Sequence, residues 1–388
     1  MSQLSDRVKT EFISRFNELP LLVLSPGRIN LIGEHLDYNG GLVFPAAIDK
    51  EIAVAITESG NDHSSIVALD LNEESHLHLN NLEIAPSGSW KNYVIGIIKQ
   101  LQNRGFTIPN FNLVFTGNIP LGSGLSSSAA LENGIVFGLN EIFKLGLSKL
   151  EMIKISQQAE HEAVGVKCGI MDQFASMFGI KHQALVLNCD TLEYESVKVE
   201  LGEYQLLLIN TNVNHQLSDS PYNKRRHQCA NGLFVLQKSF SNLKALAHSN
   251  LTQLEAIKGQ LSPMEIKRCQ FVIEEQQRVI EAKFALESKN LKRLGELIFL
   301  SHEGLRDLYE VSCSELDFLV NLALNNEHVL GARMMGAGFG GCTINLIHDN
   351  HVESFLSEVT QRFGAEFGHS PTPIKISLRE GTSIVSPH

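Results

Sequence analysis

A run of glycines and small hydroxyl residues that leads directly into a helix-forming segment constrains this chain more than any other feature. The run spans residues 122–132, where Gly122 and Gly124 precede three consecutive serines, Ser126–Ser128. Glycine lets the backbone approach a ligand closely, and the free N–H groups at a helix N-terminus favour negative charge. The segment therefore predicts a phosphate-binding turn followed by a helix, although an ordinary turn before a helix has the same composition.

This turn is not a P-loop, because the chain contains no Gly-x-x-x-x-Gly-Lys-Ser/Thr sequence. Backbone N–H groups and serine hydroxyls must then replace the P-loop lysine. The residues predicted to bind the triphosphate are Gly122, Ser123, Gly124, Leu125, Ser126, Ser127 and Ser128.

The length of 388 residues predicts two domains, because one hydrophobic core rarely serves so long a chain. We place the boundary near residue 182, which gives domains of residues 1–182 and 183–388 with a ligand cleft between them. Hydrophobic residues make up 43% and charged residues 19% of the chain, a composition typical of globular proteins.

Charge and cysteine content exclude several classes of function. A net charge of −11 argues against nucleic acid or an anionic membrane as the main partner, since both need a basic surface. The six cysteines are widely spaced and form no zinc pattern, so we expect free thiols. The first twenty residues lack the apolar stretch of a signal peptide, and no apolar run is long enough to span a membrane. These features predict a cytoplasmic protein.

The hydrophobic pattern predicts an α+β fold, because helices and strands alternate without the regular order of a doubly wound sheet. Helices are predicted at residues 7–16, 127–143 and over most of 263–325. Strands are predicted at residues 21–24, 52–56, 111–116, 184–187, 205–209, 342–347 and 374–378.

Residues 27–38 concentrate charged and polar side chains in a predicted loop between strands. Glu34, His35 and Asp37 offer hydrogen-bond acceptors and a donor at a density suited to several sugar hydroxyls. A solvated charged turn is the alternative.

Residues 159–174 place two carboxylates, Glu160 and Asp172, twelve positions apart. One of them could bind a metal while the other faces a substrate proton. Zinc is not expected, because the His-Glu-x-x-His sequence is absent. The alternative for Asp172 is a helix cap or a loop position.

Residues 331–342 contain the spacing Gly-x-Gly-x-x-Gly at Gly336, Gly338 and Gly341. A dinucleotide-binding fingerprint requires a helix after the glycines, whereas a β-branched, strand-like segment follows here. We therefore interpret this run as a second glycine-rich wall beside the nucleotide site.

At these four segments the chain resembles the family of small-molecule kinases that comprises galactokinases, homoserine kinases, mevalonate kinases and phosphomevalonate kinases. Residues 27–38 are similar to the galactokinase-specific signature, residues 120–131 to the ATP loop and residues 336–342 to the third motif of the family. Similarity at residues 211–226 and 301–313 extends the resemblance over nearly the whole chain.

The resemblance implies roles for individual residues. Arg28 and Asp172 match the catalytic pair, and Ser128 with Glu160 matches the magnesium site. Trp90 looks like an adenine-pocket residue, although a partly buried aromatic at a helix start is the alternative. The positions that match sugar contacts are Glu34, His35, Asp37, Gly169, Asp172 and Tyr222.

The resemblance also implies a two-domain kinase fold with its active site between the domains. The implied reaction converts galactose and MgATP to galactose 1-phosphate and ADP in a monomeric enzyme. A kinase of N-acetylgalactosamine or another sugar, and a non-catalytic galactose or ATP sensor, are the alternatives. The chain departs from the family in the third motif, where Met335 and Ala337 stand at positions that are often threonine and glycine.

Overall fold

The computed structural model describes residues 3–213 and 221–385. The helices are α1 (Gln3–Phe16), α2 (Lys91–Asn103), α3 (Ser127–Phe143), α4 (Lys149–Ala159), α5 (Met171–Phe178), α6 (Pro221–Ser239), α7 (Leu251–Ile257), α8 (Pro263–Glu287), α9 (Leu291–Glu303), α10 (Ser314–Leu324) and α11 (Val352–Phe367). The strands are β1 (Leu21–Asn30), β2 (Leu42–Val43), β3 (Pro45–Glu58), β4 (Ser64–Ala68), β5 (Glu73–Leu77), β6 (Phe111–Gly117), β7 (Gln183–Asn188), β8 (Tyr194–Lys198), β9 (Tyr204–Asn210), β10 (Val329–Met334), β11 (Cys342–His348), β12 (Thr372–Lys375) and β13 (Ser383–Ile384). π-Helical turns at Glu160–Val164 and Gly304–Tyr309 continue α4 and α9.

The first half of the chain contains five strands of a six-stranded sheet, and β13 from the end of the chain is the sixth. The strand order is β13-β1-β3-β6-β4-β5. The β4–β6 pair is parallel and the other pairs are antiparallel. Both faces of β3 are covered, because Ala53 and Ala55 pack with Phe12 of α1 while Val54 joins the main core beneath α3. Burial on both faces explains the continuous apolar run at residues 52–56 of this strand.

Glycines let α3 lie close to the sheet. A Cβ atom at Gly134 would stand 3.1 Å from Val54, and one at Gly138 would stand 3.1 Å from Ile56. The turn before α3 is equally close to β1, since a Cβ atom at Gly27 would lie 2.5 Å from the carbonyl oxygen of Leu125. The N-terminus of α3 therefore lies directly beside the end of β1.

The second half of the chain forms an antiparallel sheet in the order β10-β11-β9-β12. Helices α9 and α10 pack against β10, and α11 contributes Phe355 and Phe363 to the core of this sheet. A small third sheet in the order β2-β7-β8 joins strands from both halves. After β12 the chain returns to the first sheet, where β13 pairs with β1.

The α+β prediction is confirmed, and α3 has the predicted bounds. Six of the seven predicted strands lie within observed ones. The seventh, at residues 374–378, is wrong in its bounds, because β12 ends at Lys375 and Leu378 makes only an isolated bridge to Ile48. Residues 27–30 were predicted as loop but belong to β1, since their backbone pairs with β3 whatever their side chains.

The domain boundary near residue 182 stays a prediction. Within residues 3–213 and 221–385, no helix is both long enough and apolar enough to cross a membrane.

Candidate active site

One cavity of about 510 Å³ collects most of the predicted site residues. The predicted residues that line it are Arg28, Glu34, His35, Asp37, Gly122, Ser123, Gly124, Leu125, Ser126, Ser127, Ser128, Glu160, Asp172 and Tyr222. Gly169 and Trp90 are not among its lining residues. Four segments that are distant in sequence thus meet at a single site.

An arginine and a carboxylate form an ion pair in this cavity. The Nε and Nη2 atoms of Arg28 each lie 2.8 Å from Oδ1 of Asp172, which stands in the first turn of α5. Nη1 of Arg28 donates to the carbonyl oxygen of Gly124, and the Ser126 hydroxyl donates to Oδ2 of Asp172. Both oxygens of the carboxylate are therefore fixed by donors, and the pair is attached to the glycine-rich turn.

The Ser126 hydroxyl binds Asp172 and does not cap α3. Ser126 has a left-handed φ of 61° and makes no side-chain cap bond to the helix. The first N–H groups of an α-helix have no partner within the helix, so those of α3 stay available at the cavity wall. Helix N-termini with this arrangement are suited to binding anions.

The second glycine-rich run packs directly on the turn, as predicted. A Cβ atom at Gly336 would lie 3.4 Å from the carbonyl oxygen of Gly124, and one at Gly341 would lie 3.4 Å from that of Ser123. Both glycines have φ near +80°, where side chains are strained. Met335 is buried in the main core, so the departure from threonine at this position adds apolar packing.

Glu34 connects this run to residues 27–38, which we call the sugar signature. Its Oε1 atom accepts bonds from Nη1 and Nη2 of Arg333, at 3.1 and 3.2 Å, and from the Gly336 N–H at 2.8 Å. Arg333 is completely buried in β10 and also donates to the carbonyl of Leu31. Oε1 of Glu34 therefore connects Arg333 with the backbone of Gly336 and is not available to a sugar.

Asp37 and Gly169 are in direct contact. A Cβ atom at Gly169 would lie 1.8 Å from Oδ2 of Asp37, so no larger residue fits there while Asp37 keeps its position. Burial and the neighbouring Asp172 carboxylate raise the pKa of Asp37 to about 7. Gly169 thus belongs to the site through Asp37, although it does not line the cavity.

Aromatic rings surround His35, whose φ of 63° is left-handed. The centroid of its imidazole lies 5.7 Å from that of Tyr222, 5.9 Å from that of Tyr38 and 4.7 Å from that of Tyr309. Burial, together with the charge of Arg225, lowers the pKa of His35 to about 3. The imidazole is therefore neutral at physiological pH.

The predicted metal ligands are neighbours in the structure. The Ser128 hydroxyl donates to Oε1 of Glu160 at 3.0 Å, and Nε2 of Gln173 donates to Oε2 at 2.9 Å. Burial and the charge of Asp172 raise the pKa of Glu160 to about 7. A hydroxyl and a carboxylate are ligands that a hard cation prefers, and positive charge here would offset the repulsion between the two carboxylates. The residues present therefore fit magnesium.

Trp90 precedes α2 and has partners of its own. Its indole N–H donates to Glu73 at 2.7 Å, and its ring packs edge-on against Phe115 with centroids 5.5 Å apart. The adenine-pocket role of Trp90 stays a prediction.

Sequence reasoning missed Arg333, Gln173 and Tyr309. An arginine inside the otherwise apolar strand β10 is a signal that could have identified Arg333, because a buried charge needs a partner. Gln173 follows Asp172 directly and could have been examined with it. Tyr309 lies in a helical segment whose role only the three-dimensional contacts reveal.

Comparisons with known proteins agree with this geometry. Three family models match the chain: the galactokinase galactose-binding signature at residues 10–58, the GHMP kinases N terminal domain at 92–180 and the GHMP kinases C terminal model at 282–365. The chain is 39% identical over 380 residues to a galactokinase of Clostridium beijerinckii, and the alignment covers 97% of each protein. It is 41% identical over 364 residues to a galactokinase of Thermosipho africanus, covering 94% of this chain and 99% of the relative.

Solved structures show the same relationship. The structure of Lactococcus lactis galactokinase complexed with galactose superposes with a TM-score of 0.93 at 34% identity, covering 98% of this chain and 99% of that one. The mevalonate kinase of Methanococcus jannaschii shares the fold, with a TM-score of 0.67 at 21% identity over 93% of this chain and 99% of that one.

We expect Asp37→Asn to raise the free energy of unfolding near pH 8 and to lose this advantage as the pH falls to about 4. The pKa of Asp37 is about 7 in the folded protein and about 4 in an unfolded chain. Between these values the folded state holds a proton that the unfolded state has released, so the stability of the parent protein falls as the pH rises. The gain is at most about 4 kcal/mol. Urea denaturation of both proteins across this range measures it.

Asp62→Asn is the matched control, because Asp62 is 88% exposed and a bond from His63 lowers its pKa. It should gain no stability near pH 8. An Asp37→Asn variant whose stability parallels that of the parent at every pH would contradict the proposed effect of burial.

Proposed function

The chain belongs to the galactokinase family of the GHMP kinases, and we propose that it transfers the γ-phosphoryl group of MgATP to the anomeric hydroxyl of galactose. The products are galactose 1-phosphate and ADP. The observation that carries the proposal is the Arg28–Asp172 pair, which stands in one cavity with the sugar signature and the uncapped N-terminus of α3.

Phosphoryl transfer requires alignment and charge neutralisation more than covalent chemistry. Asp172 accepts or orients the proton of the anomeric hydroxyl, because its carboxylate is held in the cavity by Arg28 and Ser126. Arg28 stabilises this carboxylate and the charge that develops on the transferred group. The N–H groups at the start of α3 bind phosphate oxygens.

Magnesium is part of the proposal, and Ser128 and Glu160 would hold it. The cation would supply positive charge that offsets the negative charge of the phosphates. Gln173 orients the Glu160 carboxylate through its bond to Oε2.

Nothing in the site favours the alternative functions. The galactokinase relatives and the complete catalytic pair do not favour a non-catalytic sensor or a kinase of another sugar. A cytoplasmic location, a monomeric state and the absence of nucleic-acid partners stay predictions from the sequence.

An ADP-release assay tests the proposed function. We expect turnover with galactose and MgATP that exceeds turnover with N-acetylgalactosamine, arabinose, mevalonate or homoserine, because the sugar signature is that of galactokinases. The product should be identified as galactose 1-phosphate by its phosphorus NMR signal. Faster turnover of any other acceptor would overturn the assignment of the substrate.

Asp172→Asn should reduce kcat by a factor on the order of a hundred or more, because the amide cannot accept the hydroxyl proton. The KM for ATP should change little, since asparagine keeps the size of aspartate and can still accept from the Ser126 hydroxyl of the glycine-rich turn. Steady-state kinetics and a calorimetric melt check both statements. A folded variant with nearly normal kcat would disprove the role of Asp172.

Gly124→Val should weaken MgATP binding by a factor on the order of a hundred, because a branched side chain at a φ of 75° distorts the turn that cradles the triphosphate. Gly146→Val is the matched control, since Gly146 has a φ of 73° and open space around it. It shares the backbone strain but lies outside the cavity lining. Isothermal titration should show weak binding for the first variant only. Equal affinity in both would remove the triphosphate from this turn.

A further inference from the structure

Two neighbouring residues of α8 bind the backbone at the two ends of the loop 33–42, which leads from β1 into β2. The Gly33 N–H donates to Oε1 of Glu275 at 2.9 Å. The Leu42 N–H donates to Oε1 of Gln276 at 2.8 Å. One helix from the second half of the chain therefore holds both ends of this loop.

The backbone at Gly33 lies very close to α8. A Cβ atom at Gly33 would stand 2.8 Å from Cγ2 of Val279 and 2.9 Å from the carbonyl oxygen of Leu42. Its φ of +103° would also strain a residue with a side chain. Glycine at this position therefore allows the N–H to reach the Glu275 carboxylate.

The Glu275 carboxylate is completely buried and binds three donors. Besides the Gly33 N–H, its Oε1 accepts from the Ser301 hydroxyl of α9 at 2.7 Å, and its Oε2 accepts from Nε of Arg278 at 2.6 Å. An ionised carboxylate accepts at both oxygens, whereas an amide would turn its N–H2 group toward one of these donors. Only an acidic side chain therefore satisfies all three.

The loop 33–42 carries three residues that line the cavity, Glu34, His35 and Asp37. Among the described residues, none of α8 lines the cavity. Since Glu34 follows Gly33 directly in the chain, the backbone bond to Glu275 is one residue away from the cavity wall. An influence of α8 on a bound sugar therefore passes through the backbone of this loop.

We propose that Glu275 is a positioning residue for galactose, which holds the Gly33 N–H so that the polar side chains of the loop 33–42 keep their places in the cavity wall. This inference rests on the proposed function and deepens it, because it assigns part of the affinity for the sugar to a buried carboxylate outside the cavity. In the described structure, the Arg28–Asp172 pair makes its bonds to the glycine-rich turn and not to Glu275. The contribution of Glu275 is therefore to sugar binding.

Glu275→Gln tests the proposal, because it keeps the size of the side chain and removes one acceptor. Losing a buried hydrogen bond to a charged group should raise the KM for galactose about tenfold. The kcat and the KM for ATP should stay within about threefold, since the catalytic pair and the glycine-rich turn keep their contacts. A rise of equal size in the KM for ATP would show a general structural effect and overturn the proposal.

Glu281→Gln is the matched control. Glu281 lies on the same helix, and its Oε2 accepts from Nη2 of Arg293 at 2.7 Å, so the same substitution again weakens an ion pair with arginine. Glu281 does not line the cavity. Its variant should match the parent protein in all three constants.

Arg278→Gln, introduced into the Glu275→Gln variant, separates positioning from a loss of stability. In the single variant, Arg278 attracts the amide oxygen, so the amide N–H2 group faces the Gly33 N–H and leaves it without an acceptor. The second change offers this N–H2 group an acceptor and lets the amide oxygen turn back to Gly33. The double variant should therefore have a lower KM for galactose than Glu275→Gln alone. A KM that is equal or higher would overturn the proposal.

Hydrogen exchange, followed by mass spectrometry, checks the bond without turnover. Peptides that contain Gly33 should exchange faster in Glu275→Gln than in the Glu281→Gln control, because the Gly33 N–H has lost its acceptor. Equal exchange in the two variants would overturn the proposal.

Gln276→Met is the second variant, and calorimetric melting accompanies every variant. It removes the acceptor of the Leu42 N–H and keeps a side chain of similar length, so it tests the same attachment if Glu275→Gln does not fold. The KM for galactose should rise about threefold, since a neutral hydrogen bond is lost. An active parent with an unchanged KM for galactose in the folded variants overturns this proposal alone. A parent protein that does not phosphorylate galactose overturns the proposed function as well.

Discussion

The buried ion pair between Glu34 and Arg333 is the interaction on which the assembly of the site depends. Arg333 has no exposed surface, and removing one member of such a pair leaves an uncompensated buried charge that costs about 3–5 kcal/mol. Arg333 and Glu34 must therefore stay within hydrogen-bond distance of each other in the folded protein. Arg333 reaches the carbonyls of Asn30 and Leu31 at the end of β1, and Glu34 reaches the N–H of Gly336. One pair thus joins the sugar signature, the strand of the second sheet and the glycine-rich wall.

The electrostatic character of the cavity follows from this assembly. Three carboxylates, Asp37, Glu160 and Asp172, lie close enough for Asp172 to raise the pKa of the other two, and Arg28 is bonded to Asp172 alone among them. When ionised, carboxylates this close together would repel a triphosphate, and a cation at Glu160 would offset that repulsion. The proposed binding of the nucleotide as its magnesium complex agrees with this charge distribution.

Local sequence patterns predicted much of the fold and of the site, and tertiary contacts explain the rest. The glycine-rich turn and α3 were predictable because turn chemistry and helix periodicity are local. The end of β12 was not, because it depends on pairing with β9, which lies far away in sequence and continues beyond Leu207, the partner of Lys375. Family resemblance located Gly169, yet its packing against Asp37 could not be read from the sequence. Arg333 shows the same limit, since its place in an apolar strand signals a buried charge but does not reveal that its partners are Glu34 and the carbonyl of Leu31.

Helix α6 connects the second half of the chain with the cavity. Tyr222, Arg225, Arg226 and Cys229 follow one another at intervals that place them on the same side of a helix. Tyr222 lines the cavity, Arg225 and Cys229 hold Tyr309, and the guanidinium of Arg226 lies 5.4 Å from the centre of the Tyr38 ring. Any rotation of this helix would move all four together. One helix of the second half of the chain therefore contributes a lining residue of the cavity and contacts with the aromatic residues around His35.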